Sequence, residues 1–174
     1  MKIFKFGGAS VKNALAVRNV AKVLNLYRGE ELVVVVSAMD KTTNALEKLV
    51  KLYFYGEGEP FAGLEEIKKF HYKIMEELFP LKNHPVYDDV NNSFVEIEWL
   101  IEDAPAGEYD FIYDQIVSIG ELVSSKILSS YLNDAGIKNQ WLDVRDIIKT
   151  DNTFRDAKID WEKCHEAKKN SHLH

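Results

Sequence analysis

The chain holds a single cysteine, Cys164, in 174 residues, which excludes an internal disulfide and fits a reducing compartment. No apolar run approaches the roughly 18 residues of a membrane-spanning helix. Lys2 and Lys5 interrupt the N-terminal apolar stretch and glycines follow, so no secretory leader is expected there. A basic excess is missing too: 22 Lys and Arg face 28 Asp and Glu, for a net charge of −6. That balance argues against nucleic acid as the main partner, because binding a phosphate backbone needs a basic face. A nucleotide stays open, since it needs only a few local cations and backbone donors. The chain has no internal repeat, no G-x-x-x-x-G-K-[ST] loop and no G-x-G-x-x-G turn. Together these absences predict a cytoplasmic one-domain protein that does not engage a membrane.

What is present reads as an α/β protein. Apolar residues make up 46% and charged residues 29%, ordinary for a globular chain. Ile3-Phe4-Lys5-Phe6 reads as a strand that runs into Gly7-Gly8-Ala9-Ser10. From Ala14 to Tyr27 the apolar positions keep a helical beat, with Gly29 placed to end it. Leu32-Val33-Val34-Val35-Val36 follows, a β-branched run expected to be a strand buried on both faces. Strand, helix and strand make a βαβ unit. Thr42-Thr43-Asn44 opens a helix, with Asn44 and Glu47 spaced as an N-cap and its N3 partner. Apolar stripes before Pro80 and Pro105 complete a helical insert expected over 41–105. Asp114 to Leu132 reads as one amphipathic helix closed by Gly136, and Gln140–Val144 as a third strand. Residues 168–174 are expected to form an unstructured or added tail after a domain spanning 1–167.

Chemistry-bearing residues gather where strands end and helices begin. Lys5 at a strand end can neutralise a phosphoryl group in flight, and Gly7, Gly8 and Ser10 can offer donors to phosphates. The alternative is a tight turn beside a snorkelling lysine. Thr43 is either a helix-start residue or a hydroxyl donor to a ligand carboxylate. Ser118-x-x-Glu121 matches a capping box, in which Glu121 only satisfies its own helix; otherwise Glu121 can hold a substrate ammonium. Gly120 in that first turn costs roughly 1 kcal/mol of helix propensity, which close packing would explain. His71 and His84 lack partners at metal-ligand spacing, and Cys164-His165 has no further soft ligands, so no metal site is expected.

These motifs resemble one family. Lys5-Phe6-Gly7-Gly8-Ala9-Ser10-Val11 resembles the K-F-G-G-T-S-V signature of aspartate kinases. Val35-Val36-Ser37-Ala38-Met39 with Thr43-Asn44, Ser118–Ser124, Trp141–Arg145, Thr150-Asp151 and Phe154-x-x-Ala157 continue the likeness in order, over about residues 2–162. The resemblance implies the amino-acid-kinase fold, a three-layer αβα sandwich with a mostly parallel sheet. It implies transfer of the ATP γ-phosphoryl group to the β-carboxylate of L-aspartate, with Mg²⁺ accompanying ATP. That reaction opens the route to lysine, threonine and methionine. Lys5 would then be catalytic; Gly7, Gly8 and Ser10 would join it around the phosphates, and Thr43 and Glu121 would bind aspartate. Ala9 stands where the family usually has threonine, and no G-R-G-G-S-D-type segment is present. The chain is therefore expected to be an N-terminal fragment, inactive alone, whose exposed sheet edge offers a route to a homo-oligomer. A kinase for another amino acid and a non-catalytic interaction module derived from a kinase are the alternative readings.

Overall fold

Alternating bulk in two short segments builds the sheet. In the computed structural model, which describes residues 1–170, β1 (Lys2–Phe6) and β2 (Leu32–Val36) pair in parallel. The register runs from Lys2 opposite Leu32 to Phe6 opposite Val36. The connection holds a single 3-10 turn, Gly8–Val11, and then α1 (Ala14–Asn25), whose cap Asn13 accepts from the Ala16 amide at 2.9 Å. The helix therefore starts well beyond the glycines, and one of its first free donors is already taken. It ends two residues before Tyr27, and Gly29 closes the turn in the left-handed region.

The remaining elements are helices: α2 (Thr42–Tyr55), α3 (Pro60–Leu78), α4 (Val86–Glu102), α5 (Tyr109–Val117), α6 (Ile119–Asp134) and α7 (Trp161–Asn170). α2 to α4 occupy most of the stretch 41–105 expected to be helical. One hydrophobic cluster runs unbroken from Val11 to Leu132, so these helices share their core with the βαβ unit. α6 is its central column, with Ile119, Val123, Ile127 and Leu128 all buried. It packs on α4, α5, α1 and β2, while α2 packs on α5 and α3. This is a helix-rich α/β fold around a small parallel sheet, consistent with a truncated αβα sandwich. Among the described residues no helix is long and apolar enough to cross a membrane.

Four expectations are corrected. β2 is not buried on both faces: Phe4, Phe6, Leu32, Val34 and Val36 turn to the core, whereas Ile3, Val33 and Val35 are 67%, 43% and 48% exposed. The helices cover one side only. Gln140–Val144 forms no strand, because this segment is fastened to α6 by side chains rather than by a ladder. Trp141 Nε1 donates to Ser125 Oγ at 2.9 Å, and Asn139 bonds Ser129 and Asn133. α2 begins at Thr42, so Asn44 lies inside the helix and caps nothing. α7 continues to Asn170, into the expected tail, and residues 171–174 lie outside the described residues.

His71, dismissed on spacing, turns out to be structural. It is fully buried on α3, with Nδ1 2.8 Å from the Ile67 carbonyl and Nε2 3.4 Å from Thr42 Oγ1. The carbonyl places a ring proton on Nδ1. Burial pushes the imidazole down from its ordinary value to about 4. The unfolded chain therefore takes up a proton near pH 6.5 that the folded chain refuses until about pH 4. Stability is intact above that window and falls as the pH drops through it, by on the order of 3 kcal/mol at its lower end. Urea unfolding across this range should show a slope that His71→Gln flattens by up to about 1.4 kcal/mol per pH unit. Identical slopes in the two proteins would clear the imidazole of this role.

Candidate active site

The sheet's carboxyl edge is closed by the loop 37–41, and this loop is pinned from three sides. The Ser37 amide donates to Phe6 O at 3.0 Å, extending the ladder by one bond. The Asp40 amide donates to Gly8 O at 3.1 Å, tying the loop to the first turn. Ser124 on α6 donates from Oγ to Ser37 O at 2.8 Å. Thr42 closes it: its amide and hydroxyl reach Met39 O at 3.0 and 2.6 Å. Asp40 itself sits at φ 46°, a left-handed conformation that aspartate tolerates better than most residues.

Two glycines make this geometry possible. A Cβ on Gly8 would stand 2.7 Å from Ala38 O and 2.9 Å from Asp40 O, both backbone atoms that cannot yield locally. The space its missing side chain leaves is thus used by the protein's own loop. A Cβ on Gly120 would meet Leu46 Cδ1 at 3.0 Å, Ala38 Cβ at 3.1 Å and Thr42 Cγ2 at 3.3 Å. Gly120 therefore lets the start of α6 sit against the loop and the start of α2, which is the close packing its propensity cost demanded. Gly7 differs, since a Cβ there would meet only Lys5 Nζ, at 3.4 Å. The Lys5 ammonium thus folds back over Gly7, beside the turn in which the Ser10 amide donates to Gly7 O at 2.8 Å.

Glu121 does not act as a cap of its own helix. α5 runs almost without interruption into α6, and Ser118 is itself in helical conformation with no side-chain cap bond. The Leu122 amide finds Ser118 O at 3.3 Å, the first regular bond of α6. Glu121 instead reaches across to the loop, where Oε1 accepts from the Ala38 amide at 3.4 Å. It also lines a cavity of about 460 Å³ with Glu96, Tyr113, Asp114, Ser118 and Arg145. Arg145 is clamped by Asp143, with Nη2 2.7 Å and Nε 3.0 Å from its carboxylate. The guanidinium holds the Asp143 carboxyl below its ordinary range and is itself raised by it. The cavity thus presents carboxylates and one fixed cation, a donor set suited to a small zwitterion.

The structure brings Lys5, Gly7, Gly8 and Ser10 to one turn and joins that turn through Asp40 to the loop that Glu121 touches. Thr43 follows directly on Thr42 at the start of α2, half-buried. Lys5, Thr43 and the glycine turn do not line the cavity that holds Glu121. Ser124, Thr42 and His71 were missed as supports. Ser124 was visible only as the last serine of a motif, and Thr42 stood one residue from the threonine singled out. Among the described residues no three His, Cys, Asp or Glu side chains are grouped to hold a metal ion.

The model of the amino acid kinase family matches residues 1–173. The lysine-sensitive aspartokinase 3 of Escherichia coli is 30% identical over 159 residues, 91% of this chain and 34% of that protein. An aspartokinase of Chlamydia trachomatis is 30% identical over 87% of this chain and 32% of its own length. Among solved structures, E. coli aspartokinase III in complex with aspartate and ADP superposes with a TM-score of 0.81 at 28% identity. That match covers 98% of this chain and 37% of the crystallised one. The chain therefore spans about a third of the length of these relatives.

The two glycines of the first turn should separate cleanly by substitution. Gly8→Ala forces backbone apart and should cost about 1–3 kcal/mol, as overpacking does. Gly7→Ala meets only the end of a flexible lysine and should cost well under about 1 kcal/mol. Chemical denaturation of both variants checks this, and equal losses would contradict the packing argument.

Proposed function

The chain belongs to the amino acid kinase family, and on that premise we propose that it carries the N-terminal part of an aspartate kinase site. In that reaction a β-carboxylate oxygen of L-aspartate attacks the γ-phosphorus of ATP. ADP leaves, and 4-phospho-L-aspartate, an acyl phosphate, is formed. Lys5 neutralises charge on the transferring phosphoryl oxygens, and the backbone donors of Gly7 and Gly8 with Ser10 line the phosphates. Thr43 receives a substrate carboxylate, and Glu121 holds the substrate ammonium. Mg²⁺ belongs to this reading as counter-charge carried on the nucleotide's phosphates.

The observation that carries the reading is the freedom of Glu121. It takes no part in a capping box, and its carboxylate touches the loop after β2 and lines a cavity that Arg145 also lines. E. coli aspartokinase III, which this chain resembles, was crystallised with aspartate and ADP, and that supports the same substrate class. A kinase acting on an N-acylated amino acid has no ammonium to offer such a carboxylate. An aspartate kinase does.

The test joins this chain to the remaining two thirds of E. coli aspartokinase 3 and measures ADP release with aspartate, glutamate and N-acetylglutamate. Aspartate should be the preferred acceptor. Lys5→Ala should lower kcat by about 10²–10³-fold, the range for losing one group that stabilises developing charge. Glu121→Gln should act mainly on the KM for aspartate, raising it about tenfold or more, as losing a charge-assisted bond does. The chain alone should release little or no ADP. Preference for N-acetylglutamate, or turnover indifferent to Lys5, would sink the proposal.

A further inference from the structure

Between α2 and α3 lies an open groove of about 350 Å³ that the kinase reading does not use. Its floor is apolar: Ala45, Leu49 and Leu52 from α2 face Ile67 and Phe70 from α3. Two features of its walls point to an occupant.

The first is Gly63, an interior residue of α3 whose backbone has no need of glycine. A Cβ there would touch Leu52 Cδ1 at 3.8 Å and Leu49 Cδ1 at 3.9 Å, ordinary contact distances. Helix propensity therefore favours alanine by roughly 1 kcal/mol, and packing does not object. The glycine's one structural effect is to leave the groove open.

The second is charge. Lys41 and Lys48 stand on the α2 rim, and neither lies within ion-pair distance of a carboxylate among the described residues. Across the groove, Glu66 is held by Lys69 at 2.6 Å and is no partner for them. Asp40 at the mouth is the one unpaired carboxylate on the lining. Two unmatched ammonium groups above an apolar floor complement an anionic head on an apolar body. The volume lies at the small end of the range for ligand sites, and it is far too narrow for a helix about 10 Å across.

We infer that this groove binds a small amphipathic carboxylate, its head at Lys41 and Lys48 and its tail along Leu49, Leu52 and Phe70. The inference stands apart from the kinase reading, since it uses none of the residues assigned there. Octanoate, octylamine and butyrate, titrated into the full chain below micellar concentrations, test it by amide chemical-shift mapping. Octanoate should bind saturably, with shifts clustered on residues 41–52 and 63–70. Butyrate, with the same head and a shorter tail, should bind at least tenfold more weakly, and octylamine should not map there. Lys41→Glu with Lys48→Glu should weaken octanoate at least tenfold. Gly63→Leu should abolish binding while leaving the melting temperature unchanged or higher, because it fills the groove and suits the helix. Octylamine mapping to the same residues as well as octanoate, or octanoate shifts that survive Gly63→Leu, would overturn the inference. So would shifts scattered over the surface.

Discussion

The structure hangs on one close approach, that of the Gly8 backbone to the backbone of Ala38 and Asp40. At that point two βα turns touch with no side chain between them, and the Asp40 amide bonds Gly8 O. Everything that converges on the carboxyl edge of the sheet follows from it. With the loop held against the first turn, its carbonyls point outward to Ser124 of α6 and to Thr42 of α2. With Gly120 also bare, α6 can press its first turn onto Ala38 and Thr42. A methyl group at either glycine would wedge apart elements that together make one edge.

Glu121 owes its position to the same arrangement. Had α6 begun after a true loop, its first amides would have needed an acceptor, and the nearest carboxylate would have been consumed as a cap. Here Ser118 follows α5 directly in helical conformation, and the Glu121 carboxylate accepts from the Ala38 amide instead of capping its own helix. A helix junction thus decides whether an acidic side chain serves the fold or remains available to a ligand.

Much of this was legible in the sequence, and the rest was not for identifiable reasons. The βαβ unit could be read because Phe4-Lys5-Phe6 and the valine run set their period locally, and so could the stripes of α3 and α4. β2's open face could not, since a run of valines looks the same whether one side or both are covered. Gln140–Val144 has the composition of a strand, but a strand exists only where a neighbour completes the ladder, and here Asn139 and Trp141 spend their bonds on α6. The glycine turn was found, but not that Gly8 makes room for the loop 37–41, whose approach depends on the packing of two βα turns. His71 was invisible because burial and its Thr42 neighbour are set by the packing of α2 on α3, which leaves no spacing rule behind.

The exposed face of the sheet bears on what Lys5 can do. Alternation along β1 puts Lys5 on the same side as Ile3, the side left open by the helices. In water a unit charge attracts another at 4 Å by about 1 kcal/mol, and by about 4 kcal/mol at the effective dielectric near a protein surface. An ammonium that faces solvent is therefore a weak stabiliser of a phosphoryl group in transfer, however well it is aimed. The turn fixes direction, through Gly7 and the strand end, but not dielectric. Whatever closes over Ile3, Val33 and Val35 would do more for Lys5 than any new contact. It would remove the water that now shares its charge, and so strengthen its attraction for any anion brought to the turn.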